Sequence, residues 1–76
     1  MAYIDKEINA ENMKSPQSMV KALRAIEHMN SGQVLKVTTD EARSISNFEA
    51  MCYQLGHKLM EVIDLDGEYT LLVKKA

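Results

Sequence analysis

The sequence is poor in the residues that mark special frameworks, with one cysteine, one proline, three glycines and no tryptophan among 76 residues. A single cysteine, Cys52, excludes an internal disulfide, and a reducing cytoplasm is the expected setting. No apolar run approaches the roughly 20 residues of a membrane helix, so no contact with a membrane is expected. The first seven residues also lack the basic and apolar blocks of a signal peptide.

A strong charge of one sign is missing too, because 9 basic and 11 acidic residues leave a formal net charge of −2. Nucleic acid is therefore not expected as a direct ligand, since such proteins carry a basic stripe. The residues His28, Cys52 and His57 are too few and too scattered for a metal site. We expect neither a metal nor another cofactor.

What the chain does contain is 46% hydrophobic residues, enough for a folded core, in a pattern that predicts the element order β-α-β-α-β-β. The predicted strands span residues 3–9, 34–39, 59–65 and 69–74. The first helix is predicted to begin at Ser15-Pro16, with one apolar face formed by Met19, Val20, Leu23, Ile26 and Met29. Residues 40–47 are predicted as a connection with cap candidates at Asp40, Ser44, Ser46 and Asn47. Phe48 to Leu55 then form the second helix, and Gly56 ends it.

The predicted fold class is α+β, a two-layer α/β sandwich in one domain over residues 1–76. Two amphipathic helices are too few to cover both faces of four strands, so both helices are expected on one face of a mixed sheet. Asp66-Gly67 predicts a two-residue hairpin turn between the last two strands. Leu72 on the last strand is expected on the open face, where it would be a candidate contact residue.

The only proline lies in the segment Ser15-Pro16-Gln17-Ser18 at the predicted start of the first helix. Ser15 is a suitable N-cap, worth about 1 kcal/mol, and Pro16 suits the first helical position. As a nucleophile Ser15 would need an adjacent base. His28 lies roughly 20 Å further along the helix axis, so we expect the cap and not a serine hydrolase.

With this order of elements the chain resembles the TusA/SirA family of small sulfur-carrier proteins over almost its full length. The segments that carry the resemblance are Ile8-Asn9-Ala10, Met13 to Ser18, the helix from Met19 to Met29, Ser31 to Val37, Thr39-Asp40, Phe48, Gly56-His57 and Tyr69 to Lys75. The hallmark of the family is C-P-x-P at the start of the first helix. This chain departs from it with Ser15 at the cysteine, Ser18 at the second proline, and Glu41 in place of a frequent later proline.

The resemblance implies a persulfide on the motif cysteine, received from a cysteine desulfurase or another donor and passed to the next protein. A cysteine at a helix N-terminus suits this role, because unpaired N–H groups and the helix dipole stabilise its thiolate. Ser15 occupies this catalytic position. Its hydroxyl is too basic to ionise there and forms no stable counterpart of a persulfide, so we expect no sulfur carriage, and whether the chain is an enzyme stays open.

Two functions stay open. The first is a sulfur-relay protein of the TusA type in which Ser15 was introduced for a cysteine or in which carriage has been lost. The second is a non-catalytic protein-binding or regulatory module on the same fold. For both, the predicted partner-binding residues are Lys14, Pro16, Gln17, Ser18 and Lys21, whose basic members would speed encounter with an acidic partner.

Cys52 is the only thiol, and it falls on the apolar stripe of the second helix. A free cysteine in such a stripe is usually a small core residue, and buried thiols are unreactive. We therefore expect Cys52 in the core, with a relocated carrier thiol as the alternative.

Overall fold

The computed structural model describes residues 3–14 and 16–76, and within them the chain forms four strands and two helices in the predicted order. The strands are β1 (Lys6–Asn9), β2 (Val34–Thr39), β3 (Lys58–Leu65) and β4 (Glu68–Lys74), and the helices are α1 (Gln17–Glu27) and α2 (Arg43–Leu55).

The four strands form one mixed sheet in the order β1-β2-β4-β3. β1 runs parallel to β2, while β4 pairs antiparallel with both β2 and β3. The parallel pair follows from the crossover through α1, and the antiparallel β3–β4 pair follows from the short hairpin. The predicted α+β sandwich with a four-stranded mixed sheet is therefore confirmed.

The core lies between the sheet and the helices. Both central strands and both helices contribute to one cluster of buried side chains, so the two helices cover the same face of the sheet. Its main members are Ala22, Ala25 and Ile26 from α1, Leu35 and Val37 from β2, Phe48, Met51 and Cys52 from α2, and Leu71 and Val73 from β4.

The hairpin between β3 and β4 has the predicted turn, with positive φ at both Asp66 (53°) and Gly67 (86°). This backbone matches the twist of the flanking strands. On the outer strand, the pairing with β4 shifts register between Leu59 and Glu61, so Met60 forms a bulge. A bulge on an edge strand disfavours pairing with a strand of another chain.

Several boundaries differ from the prediction, and the largest difference is at α2, which begins at Arg43 inside the expected connection. None of the predicted caps, Asp40, Ser44, Ser46 and Asn47, is the N-cap of this helix. Ala42 is the N-cap with helical φ and ψ, and the N–H groups of Ser44 and Ile45 donate to the C=O groups of Glu41 and Ala42 at 3.1 Å. A backbone turn thus starts this helix where a side-chain cap was predicted.

The first strand begins at Lys6 and not at Tyr3, and Tyr3 and Ile4 are exposed. Leu72 lies on the face away from the helices, because Leu71 and Val73 on either side of it point into the core. It is only 7% exposed, however, so the expectation of a contact residue was wrong. Its cross-strand neighbours are Lys36 and Glu61, and side chains of this length can cover an apolar neighbour.

Candidate partner-binding site at the start of helix α1

A short loop leads from β1 to the motif, and backbone hydrogen bonds hold it against β2. The Ala10 N–H donates to the Thr38 C=O at 2.7 Å, and the Met13 N–H donates to the Ala10 C=O at 3.2 Å. The Asn9 side-chain oxygen accepts the Glu11 N–H at 2.8 Å, which is an Asx turn. The loop therefore has a defined turn structure.

Asn12 lies at the apex of this loop, and its φ of 63° is in the left-handed region. Asparagine tolerates that region better than most residues do. Both carboxylate oxygens of Asp40, the residue that follows β2, accept the Asn12 N–H, at 3.1 and 3.2 Å. The loop is thus tied to the end of β2 by a charged side chain.

Helix α1 begins with Pro16 as the N-cap and Gln17 as the first helical residue, one position later than predicted. The Lys14 C=O accepts the N–H groups of Gln17 and Ser18, at 2.7 and 3.4 Å. Pro16 thus takes the N-cap position that was predicted for Ser15. Ser15 itself lies outside the described residues, so its role as the carrier position stays a prediction. The Lys14 carbonyl joins the end of the loop to the first turn of α1.

Three of the predicted partner-binding residues, Lys14, Pro16 and Gln17, are exposed. Lys21 is half-buried, and its Nζ donates to the Asn9 C=O at 2.8 Å, so it also holds the loop before the motif. These four residues lie together at one end of the molecule, because α1 starts where the loop from β1 ends.

Ser18 differs from the prediction, because its side chain is 1% exposed and faces the interior. Its Oγ lies 3.3 Å from the Oγ of Ser44, which is 0% exposed in the first turn of α2. The pair joins the first turns of the two helices. Ser18 is thus buried, whereas an exposed partner-binding residue was predicted at this position.

A groove of about 460 Å³ runs along α1 beside the motif, lined by Met13, Pro16, Gln17, Val20, Lys21 and Arg24. Val20 was predicted on the core face of the helix, yet it is 45% exposed and forms part of this groove. The two cations of the lining, Lys21 and Arg24, sit one turn apart on the same helix face. The groove therefore offers an apolar floor with positive charge at its side.

Cys52 is 3% exposed in the core, and burial raises the pKa of its thiol. A buried thiol with a raised pKa is a poor nucleophile. The two histidines do not form a site with Cys52. His28 is exposed, and the His57 Nδ1 accepts the Ala76 N–H at 3.0 Å. Within residues 3–14 and 16–76, no three His, Cys, Asp or Glu side chains are grouped to hold a metal ion.

Within the described part of the chain, neither helix has the length and apolar character that a membrane span requires.

Comparisons with known proteins agree with the resemblance drawn from the sequence. A family model described as sulfurtransferase TusA matches residues 6–75. The sulfur carrier protein TusA of Allochromatium vinosum is 34% identical over 76 residues, which is 100% of both chains. The crystal structure of the SirA-like protein from Desulfitobacterium hafniense has a TM-score of 0.81 and 24% identity, covering 91% of this chain and 95% of that one. This last likeness concerns the fold.

Proposed function

Because the chain belongs to the sulfurtransferase TusA family, we propose that it acts in sulfur relay by docking on proteins that transfer persulfide sulfur, without carrying sulfur itself. One observation carries this proposal. Ser15 stands at the family's cysteine position, while the only thiol of the chain, Cys52, is 3% exposed. The chain thus keeps the fold and the surface beside the motif that docking requires. It lacks the reactive sulfur atom that carriage requires.

The chemistry explains why the oxygen matters. In sulfur carriage, a carrier thiolate attacks the outer sulfur of a donor persulfide, a new S–S bond forms on the carrier, and the donor cysteine leaves as a thiolate. No external oxidant or reductant is needed. A serine hydroxyl stays protonated at neutral pH and forms no comparable bond to sulfur, so Ser15 does not take part in this exchange.

The groove along α1 supports the proposal that the chain docks on partner proteins. Its exposed apolar residue, Val20, and its two cations, Lys21 and Arg24, match a partner surface with an apolar side chain flanked by carboxylates. A cysteine desulfurase is the kind of partner that the family suggests. We also place this relay in the cytoplasm, where reducing conditions keep the cysteines of the partner as thiols.

Regulation is the second candidate function, and the groove beside a motif without cysteine favours it. A chain that docks on a donor without accepting sulfur would occupy the place of a functional carrier. Such a chain slows the transfer of sulfur to true carriers and has no product of its own.

The proposal that the chain carries no sulfur is tested by the intact mass of the chain after incubation with a cysteine desulfurase and cysteine. We expect no added sulfur on the chain as it stands and one added sulfur atom on the Ser15→Cys variant. A Ser15→Cys/Cys52→Ala double variant should also gain sulfur, which would assign the atom to position 15. Sulfur on the unmodified chain would refute the proposal, because Cys52 would then be the working thiol.

A further inference from the structure

The loop that precedes the motif is held from two sides by charged side chains that come from other elements. Asp40, at the end of β2, accepts the Asn12 N–H with both carboxylate oxygens. Lys21, on α1, donates to the Asn9 C=O at 2.8 Å. Hydrogen bonds with an ionised partner are stronger than neutral ones, so both contacts restrain the loop.

The contact with Asp40 acts at Asn12, which has a left-handed backbone conformation. Asn12 has a φ of 63°, and a non-glycine residue adopts that region at some conformational expense. A single loop residue keeps this conformation only where contacts with its surroundings stabilise it. The Asp40 carboxylate is 28 residues away in the sequence and supplies that selection.

The conformation of Asn12 sets the direction of the two residues that follow it. Met13 forms one wall of the groove beside α1. Lys14 presents the carbonyl that accepts the first N–H groups of α1. The Asp40 carboxylate is therefore connected, through Asn12, to both the groove wall and the start of the helix.

We propose that Asp40 is a positioning residue of the partner-binding site: its carboxylate holds Asn12 in the left-handed conformation and so keeps the motif segment in its docking geometry. This inference rests on the proposed function, since it concerns the surface assigned to partners. Without the carboxylate, the loop samples other conformations, and a partner binds only the competent fraction.

The test compares Asp40→Ala with Asp40→Asn, which keeps an oxygen acceptor for the Asn12 N–H. The matched control is Asp64→Ala, which removes one exposed carboxylate from β3, the strand at the opposite edge of the sheet from β1. Two readouts need no partner. They are the hydrogen-exchange rate of the Asn12 amide and the rate at which iodoacetamide alkylates each variant in a Ser15→Cys background. The third is the rate at which a cysteine desulfurase loads the Ser15→Cys variants with sulfur.

Asp40→Ala should speed exchange of the Asn12 amide by about tenfold, a typical effect of losing a hydrogen bond to a charged group. It should change the alkylation rate at position 15 and lower the loading rate by a similar factor. Asp40→Asn should restore much of each rate, and Asp64→Ala should match the parent. Melting temperatures measured alongside separate a local change from general unfolding.

Unchanged exchange at Asn12, or unchanged alkylation and loading in Asp40→Ala, would overturn the inference. Failure of the proposed function looks different, because either the Ser15→Cys parent would not be loaded at all or the unmodified chain would itself gain sulfur. In that case the exchange and alkylation rates still decide whether Asp40 positions the motif.

Discussion

The buried pair Ser18–Ser44 gives the sharpest prediction about stability. The two hydroxyl oxygens are 3.3 Å apart, and both side chains are essentially inaccessible, at 1% and 0% exposure. In a Ser18→Ala variant the hydroxyl of Ser44 stays buried without that partner. Leaving one buried polar group unpaired costs about 1–3 kcal/mol. Because 3.3 Å is long for two hydroxyls, we expect a value near the lower end, about 1 kcal/mol.

For a domain of this size, about 1 kcal/mol lowers the melting temperature by roughly 4–8 °C. Ser44→Ala should cost a similar amount, since it leaves the Ser18 hydroxyl in the same position. The double variant removes both polar groups together, so its loss should be close to that of one single variant. The expected coupling energy is therefore about 1 kcal/mol.

Urea unfolding at constant pH, with calorimetry beside it, measures these differences. Ser46→Ala is the control, because Ser46 lies on the same helix but is exposed. Its variant should stay within about 0.5 kcal/mol of the parent. If the losses of the two single variants simply add in the double variant, the hydroxyls are not coupled and the reasoning is refuted.

Two further predictions concern Cys52 and Gly56. Burial raises the pKa of the Cys52 thiol, so as the pH rises the unfolded chain loses this proton before the folded chain does. The contribution of Cys52 to stability is therefore complete below the ordinary thiol pKa and falls as the pH rises through the folded value. Urea unfolding between about pH 8 and pH 10 should show a steeper loss for the parent than for Cys52→Ala, and equal slopes would contradict it. Gly56, at the end of α2, has a φ of 76°, and a Cβ there would meet only the Ala76 Cβ at 4.0 Å. Gly56→Ala should thus lose about 1 kcal/mol through backbone conformation alone, and no loss in urea unfolding would argue against that reading.

The sequence predicted the architecture well because periodicity and turn chemistry agree along the chain. The Asp66-Gly67 turn and the apolar faces of the helices lead to the order of elements and to the single core. Cys52 was placed correctly in the core for the same reason: it shares a helical stripe with Phe48.

The candidate site was less predictable, because its geometry depends on contacts between elements that are distant in sequence. The burial of Ser18 depends on how α1 packs against α2, and the motif alone does not encode it. The role of Asp40 depends on the register that brings the end of β2 beside the loop after β1. The one local signal at this site is the asparagine at position 12, because asparagine is common in the left-handed conformation that Asn12 adopts.

The start of α2 was misplaced for a related reason. Two serines and an asparagine in residues 40–47 suggested a later cap, but the helix starts from backbone hydrogen bonds at Glu41 and Ala42. Ser44 is buried in the first turn of the helix, whereas its sequence context favours a solvent-exposed cap. Tertiary packing overrides local preference at this position.

The central claim, docking without carriage, is tested most directly by competition. The measurement is the initial rate at which a cysteine desulfurase loads the Ser15→Cys variant with sulfur, in the presence of increasing amounts of the unmodified chain. The account predicts that the rate falls as the unmodified chain is added, while the mass of that chain does not change. A loading rate that does not respond to the unmodified chain, or sulfur bound to it, would contradict the account.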